Sequence, residues 1–107
     1  MTSDFFIFTR CHAKEGQQHS VAAIIQEVLD PTRLEPGCLS IEAFAPRQDQ
    51  RLFHIHSRWI DEAAFDHHLQ LPHTTQFLNA IQSLLDRPID VTRAEVLRRP
   101  GRSGDTT

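Results

Sequence analysis

Residues 51–60, Arg-Leu-Phe-His-Ile-His-Ser-Arg-Trp-Ile, alternate between two kinds of side chain, and the pattern then changes period within two positions. In an extended chain Phe53, Ile55, Ser57 and Trp59 fall on one face, and Leu52, His54, His56 and Arg58 on the other. From Asp61 the spacing becomes helical, with Ala64, Phe65, His68 and Leu69 on one side. Asp61 offers an oxygen to the first free N–H groups of a helix over 61–70. Pro72 has no donor to lose and suits the first turn of a second helix over about 73–86. A strand that runs through a capped turn into two helices must be covered by them on one face. His68 is predicted to share that inward face with Trp59, while His67 points away. His73 starts the next helix on the side of Phe77, followed by Ile81, Leu84 and Leu85 in register.

The remaining elements follow from the same two periods. Residues 4–13 hold Phe5, Phe6, Ile7, Phe8, Thr9 and Cys11 and read as a strand. Residues 16–30 carry Val21, Ile24, Ile25, Val28 and Leu29, the stripe of an amphipathic helix, which Asp30-Pro31 is expected to close. Glu35-Pro36-Gly37 supplies a turn. Residues 38–45 alternate as a second strand, and Pro88 opens a last strand over 88–97. The order β-α-β-β-α-α-β is the α+β, ferredoxin-like plan, one antiparallel sheet with helices on one face. Residues 1–97 form the domain, and 98–107 read as a disordered tail.

At 107 residues with a formal net charge of −3, the chain is one domain with no electrostatic case for nucleic acid or an anionic membrane surface. No run reaches the length of a membrane span, and Met1-Thr2-Ser3-Asp4 lacks the basic start of a signal peptide, so a cytoplasmic location is expected. Two cysteines, Cys11 and Cys38, make neither a disulfide framework nor a zinc pattern. The uncovered sheet face carries Phe6, Phe8, Arg10, Glu42, Phe44, His54, His56 and Arg58. Aromatics among charges of both signs suit a partner sheet, which predicts a homodimer, with Arg10 and Arg58 pairing Glu42 or carboxylates across the interface.

Four segments carry a resemblance. They are Arg10-Cys-His-Ala-Lys-Glu-Gly16, Thr32-Arg-Leu-Glu-Pro-Gly-Cys38, Arg58-Trp59 with Asp61-Glu-Ala-Ala-Phe65, and His68-Leu-Gln-Leu-Pro-His73. Spread over residues 5–97, this set resembles the antibiotic-biosynthesis-monooxygenase family, dimeric α+β barrel proteins that include small quinol monooxygenases. The resemblance implies a monooxygenase that uses neither metal nor flavin and oxidises a small aromatic quinol or phenol with dioxygen. Many relatives carry Glu where Ser57 stands and Tyr where Ile41 stands, which makes this pocket less polar. The haem-degrading relatives carry a Trp near His68 and a ligand His near Leu78, and neither is present here.

Such chemistry needs a dry pocket and an acceptor for a phenolic proton. His68 and His73 have the right type, since imidazole titrates near neutrality. Trp59 can wall a flat ring, and Thr9, Phe65, Phe77 and Ile81 can line the pocket. Each also has a plain structural reading: His68 a core histidine on a backbone carbonyl, His73 a helix-start residue, Trp59 and Ile81 packing. His54 and His56 stand at the spacing of a metal pair but lack a third ligand, and no metal site is expected. Cys11 has no activating neighbour and reads as packing. A non-catalytic binder or an isomerase acting on a small lactone are the alternative functions.

Overall fold

The computed structural model describes residues 5–97. Its elements are β1 (Phe5–His12), α1 (Gln18–Arg33), β2 (Cys38–Phe44), β3 (Leu52–Trp59), α2 (Glu62–His68), α3 (Pro72–Gln82) and β4 (Asp90–Ala94). All strand pairs are antiparallel in the order β2-β3-β1-β4. This is the ferredoxin-like α+β arrangement expected, with β3 inserted between β1 and β2. The tail expected over 98–107 lies outside the described residues, as do residues 1–4.

Register fixes the faces. β1 pairs with β3 from Phe5 opposite Trp59 to His12 opposite Leu52, so Ile7, Thr9 and Cys11 lie beside Ser57, Ile55 and Phe53. All six are buried under the helices. In β2 the register shifts between Cys38, opposite Trp59, and Ser40, opposite Arg58. The extra residue, Leu39, is exposed, and beyond it Ile41 returns to the helix side while Glu42 and Phe44 face outward. Val21, Ile25, Cys11, Phe53, Ile55 and Ile81 share one core cluster, and Ile7, Trp59 and Phe65 form a second beneath α2. Burial pushes the Cys11 thiol up to about 12, which suits the packing role.

Two helix ends differ from expectation. α1 does not stop at Asp30 but runs through Pro31 to Arg33. Pro31 removes one donor, from the carbonyl of Glu27, and Glu27 is exposed, so the loss falls on the solvent side. The last turn is closed instead by Thr32 Oγ1 donating to the Val28 carbonyl (2.7 Å) and by Glu35 N–H donating to the Thr32 carbonyl. α3 stops at Gln82, four residues early, because β1 claims the chain that follows. Ala13 bridges Leu85, Lys14 N–H donates to the Leu84 carbonyl (2.8 Å), and Asp86 N–H donates to the His12 carbonyl (3.0 Å).

The outer sheet face carries the aromatic and charged set predicted, and within the chain Glu42 and Arg10 take partners other than each other. Glu42 is met by Arg33 from α1 (3.3 Å), and Arg10 by Asp90 of β4 (3.7 Å). Exposed Phe8 and Phe44 flank His56 at 4.9 and 5.2 Å between ring centres.

Candidate functional site

Glu35 sits in the turn after α1, its backbone tied on both sides: its N–H donates to Thr32 (3.1 Å) and its carbonyl accepts from Cys38 (3.1 Å). Two residues on, Gly37 lets α2 approach closely, since a Cβ there would lie 2.5 Å from the Cβ of Ala64. Asp61 Oδ1 caps α2 by accepting from Ala64 N–H at 2.8 Å, as the sequence predicts. With its start fixed, α2 turns Phe65 and His68 inward and leaves His67 exposed; Leu69, expected on the apolar side, is 36% exposed. Pro72 begins α3 and delivers His73 and buried Thr74 to the same place.

The outcome is a buried carboxylate between two imidazoles. Glu35 Oε2 lies 2.6 Å from His68 Nδ1 and 2.6 Å from His73 Nε2. Thr74 Oγ1 stands 3.2 Å from the same His68 nitrogen. The Glu35 side chain is 7% exposed, and among the described residues its only ion-pair partners are these histidines. The Trp59 ring packs 4.8 Å from the His68 ring, tilted by 44°, and donates its own N–H to Ser57 Oγ (2.9 Å). Burial pulls the His68 pKa below its ordinary value, against the hydrogen bond and charge of Glu35, which push it up. A carboxylate accepts from both imidazoles, so neutral His68 carries its proton on Nδ1. Its Nε2, which has no hydrogen-bond partner among the described residues, is then a free acceptor.

His68 faces a cavity of about 70 Å³ between sheet and helices, which Thr9, Phe65 and Phe77 also line. Other polar groups there are engaged: Thr32 with Val28, Ser57 with Trp59, Thr74 with His68. His73 lines a different cleft, of about 250 Å³, with Phe77, Val28 and Glu27, so Glu35 stands between the two spaces. Trp59 lies behind His68 rather than against the cavity, and Ile81 belongs to the core cluster and not to the lining. Arg93 of β4 reaches across the rim to Glu62 (2.6 Å) and Asp66 (3.0 Å) of α2, its guanidinium 5.1 Å from the Phe65 ring centre.

Neither backbone carbonyl bonding for His68 nor mere helix-start packing for His73 describes the structure. Both are bound by Glu35, which sequence reasoning treated only as part of a turn. The one available signal was an acidic residue held in Thr32–Cys38, a segment already marked by the resemblance. Three ligating atoms, on Glu35, His68 and His73, lie within 4.8 Å of one another, where no metal-ligand set was expected. No helix among the described residues is long and apolar enough to cross a membrane.

Residues 5–80 match the model of the family described as Antibiotic biosynthesis monooxygenase. A Mycobacterium tuberculosis protein, Rv0793, and Bacillus subtilis YcnE, both provisionally named monooxygenases, are 27% and 30% identical. These matches cover 86% and 66% of this chain and 90% and 75% of theirs. An uncharacterised Synechocystis protein is 28% identical over 73% of this chain, which spans about half (53%) of that relative's length. Among solved structures, PA3566 from Pseudomonas aeruginosa superposes with a TM-score of 0.85 at 23% identity, over 92% of this chain and 98% of its own. Rv0793 superposes at 0.84 over 92% and 99%.

Proposed function

The chain belongs to the antibiotic biosynthesis monooxygenase family, and on that premise we propose that it oxidises a small aromatic quinol or phenol with dioxygen, without metal or flavin. The observation that carries this reading is the bond from His68 Nδ1 to the buried Glu35 carboxylate, beside a cavity that His68 lines. Glu35 holds the imidazole in one tautomer and stabilises the imidazolium formed when Nε2 takes the phenolic proton, the logic of an acid–base pair oriented by a carboxylate. Burial keeps His68 neutral at rest, as a base must be. The deprotonated substrate then reduces dioxygen: one oxygen atom enters the ring, the other leaves as water, and every electron comes from the substrate. Thr9 orients the substrate oxygen, and Phe65 and Phe77 contact its ring. His73 donates its Nε2–H to the same Glu35 oxygen and holds the carboxylate against His68, and Trp59 fixes the His68 ring from behind.

A cavity of about 70 Å³ is below the roughly 150 Å³ that holds a benzene ring. An aromatic substrate therefore enters as the rim residues Leu69 and Val91, both partly exposed, move aside. The working unit is a homodimer joined through the outer sheet face around Phe8, Phe44 and His56. The test is oxygen uptake by metal-stripped protein with a panel of hydroquinones and polyphenols. Uptake above autoxidation that disappears in His68→Ala supports the reading. Product without uptake indicates an isomerase, and saturable binding without turnover a binder; either overturns it.

A further inference from the structure

We infer that Glu35, His68 and His73 also form a binding site for one divalent first-row transition cation of the zinc or cobalt type. Two imidazoles and a carboxylate from three elements are a ligand set that such ions take, with further positions left open. The donors are already gathered: Glu35 Oε2 is 2.6 Å from each histidine nitrogen, and all three ligating atoms lie within 4.8 Å of one another. Metal–ligand distances of about 2.0–2.2 Å put neighbouring donors roughly 3.3 Å apart. The oxygen contacts need to open by less than an ångström, and the two histidine nitrogens, within 4.8 Å of each other, need to draw together.

Charge supports the same assignment. Glu35 is a buried carboxylate whose only ion-pair partners among the described residues are two histidines. A buried carboxylate oxygen placed between two imidazole nitrogens is an anionic donor among neutral ones, a setting that favours a bound cation. Thr74 Oγ1, 3.2 Å from His68 Nδ1 and buried, adds a neutral oxygen donor beside the ligand atoms. The outer pair His54 and His56 has no comparable third group: Glu35, His68 and His73 are the only such cluster of three among the described residues. The inference stands on ligand geometry and charge, not on the oxidation reading.

The experiment is a cobalt(II) titration of metal-stripped protein, followed by visible absorption and calorimetry, with His73→Ala, Glu35→Gln and the double variant His54→Ala/His56→Ala. One cobalt per chain is expected, bound at least tenfold more weakly in His73→Ala and in Glu35→Gln and unchanged in the outer-face variant. Binding should weaken as pH falls through the imidazole range, because ligation releases protons. Paramagnetic broadening of the His68 and His73 ring signals in the wild-type protein reads the site without relying on any variant. Absence of one-to-one binding, unchanged affinity in Glu35→Gln and His73→Ala, or broadening at His54 and His56 instead would overturn the assignment. Oxygen uptake is not the readout, so cation binding and oxidation stand or fall separately.

Discussion

Glu35 Oε2 lies 2.6 Å from His68 Nδ1, joining a turn to a helix 33 residues further along the chain. The contact sets the tautomer of His68 and opposes part of the pKa depression that burial causes. A base must be neutral, so activity should fall on the acid side at a pH below 6.5, the ordinary histidine value. Glu35→Gln removes the charge that favours imidazolium. It should lower turnover by roughly 10²-fold and move the acid limb of the pH–rate profile further down. A limb that stays in place would show that Glu35 does not act on His68.

Gly37 is the point where the turn touches α2. Gly37→Ala brings a Cβ to 2.5 Å from Ala64 Cβ, so α2 must shift and carry His68 with it. Overpacking of this kind costs roughly 1–3 kcal/mol. Thermal unfolding should show the loss, and Gly37→Ala combined with Ala64→Gly should recover most of it. A single variant as stable as the wild type would contradict the close approach.

His12 ties three segments at the opposite end of the sheet from Trp59. Its Nδ1 meets Asp86 (2.8 Å) and its Nε2 meets Asp49 (2.9 Å). The Arg51 N–H and then His12 hold Asp49 below its ordinary value. Asp86 is also held low, by His12 and Arg87 against desolvation. Depressed carboxylates mean that the unfolded chain binds more protons in acid, so stability is present above about pH 3.8 and drains away as pH falls through the lower folded values. Thermal melts of His12→Ala should drop by roughly 5 °C or more at neutral pH and show a shallower acid loss. An unchanged acid slope would remove His12 from the account.

Phe44 is half exposed and Phe8 39% exposed on either side of His56. An apolar patch on an uncovered sheet face is the surface proposed for the dimer. Light scattering should give a dimer for the wild type and a monomer for Phe8→Asp/Phe44→Glu, with a retained far-ultraviolet spectrum. A dimer that survives both substitutions would move the interface elsewhere.

Much of the fold is legible in the sequence because it depends on short-range periodicity. The alternation of Phe53, Ile55, Ser57 and Trp59 gives the buried face of β3, and Asp61 and Pro72 mark the starts of α2 and α3. The misjudged ends depend on distant partners. α1 outlasts Pro31 because Thr32 and Glu35 rebuild the last turn, and α3 ends early because Leu84 and Leu85 bond to residues beside β1. The site is half legible for the same reason. Helical phase turns His68 inward, but nothing local distinguishes Glu35 from an ordinary turn acid. Only the docking of α2 at Gly37 puts its carboxylate between the two rings.

The most direct measurement is nitrogen-15 NMR of the histidine rings in metal-free protein at neutral pH. The account predicts that His68 is neutral, protonated on Nδ1, with a bare Nε2, and that its Nδ1 signal changes in Glu35→Gln. A proton on Nε2, or a doubly protonated ring at pH 7, would contradict the claim that Glu35 holds His68 as the base.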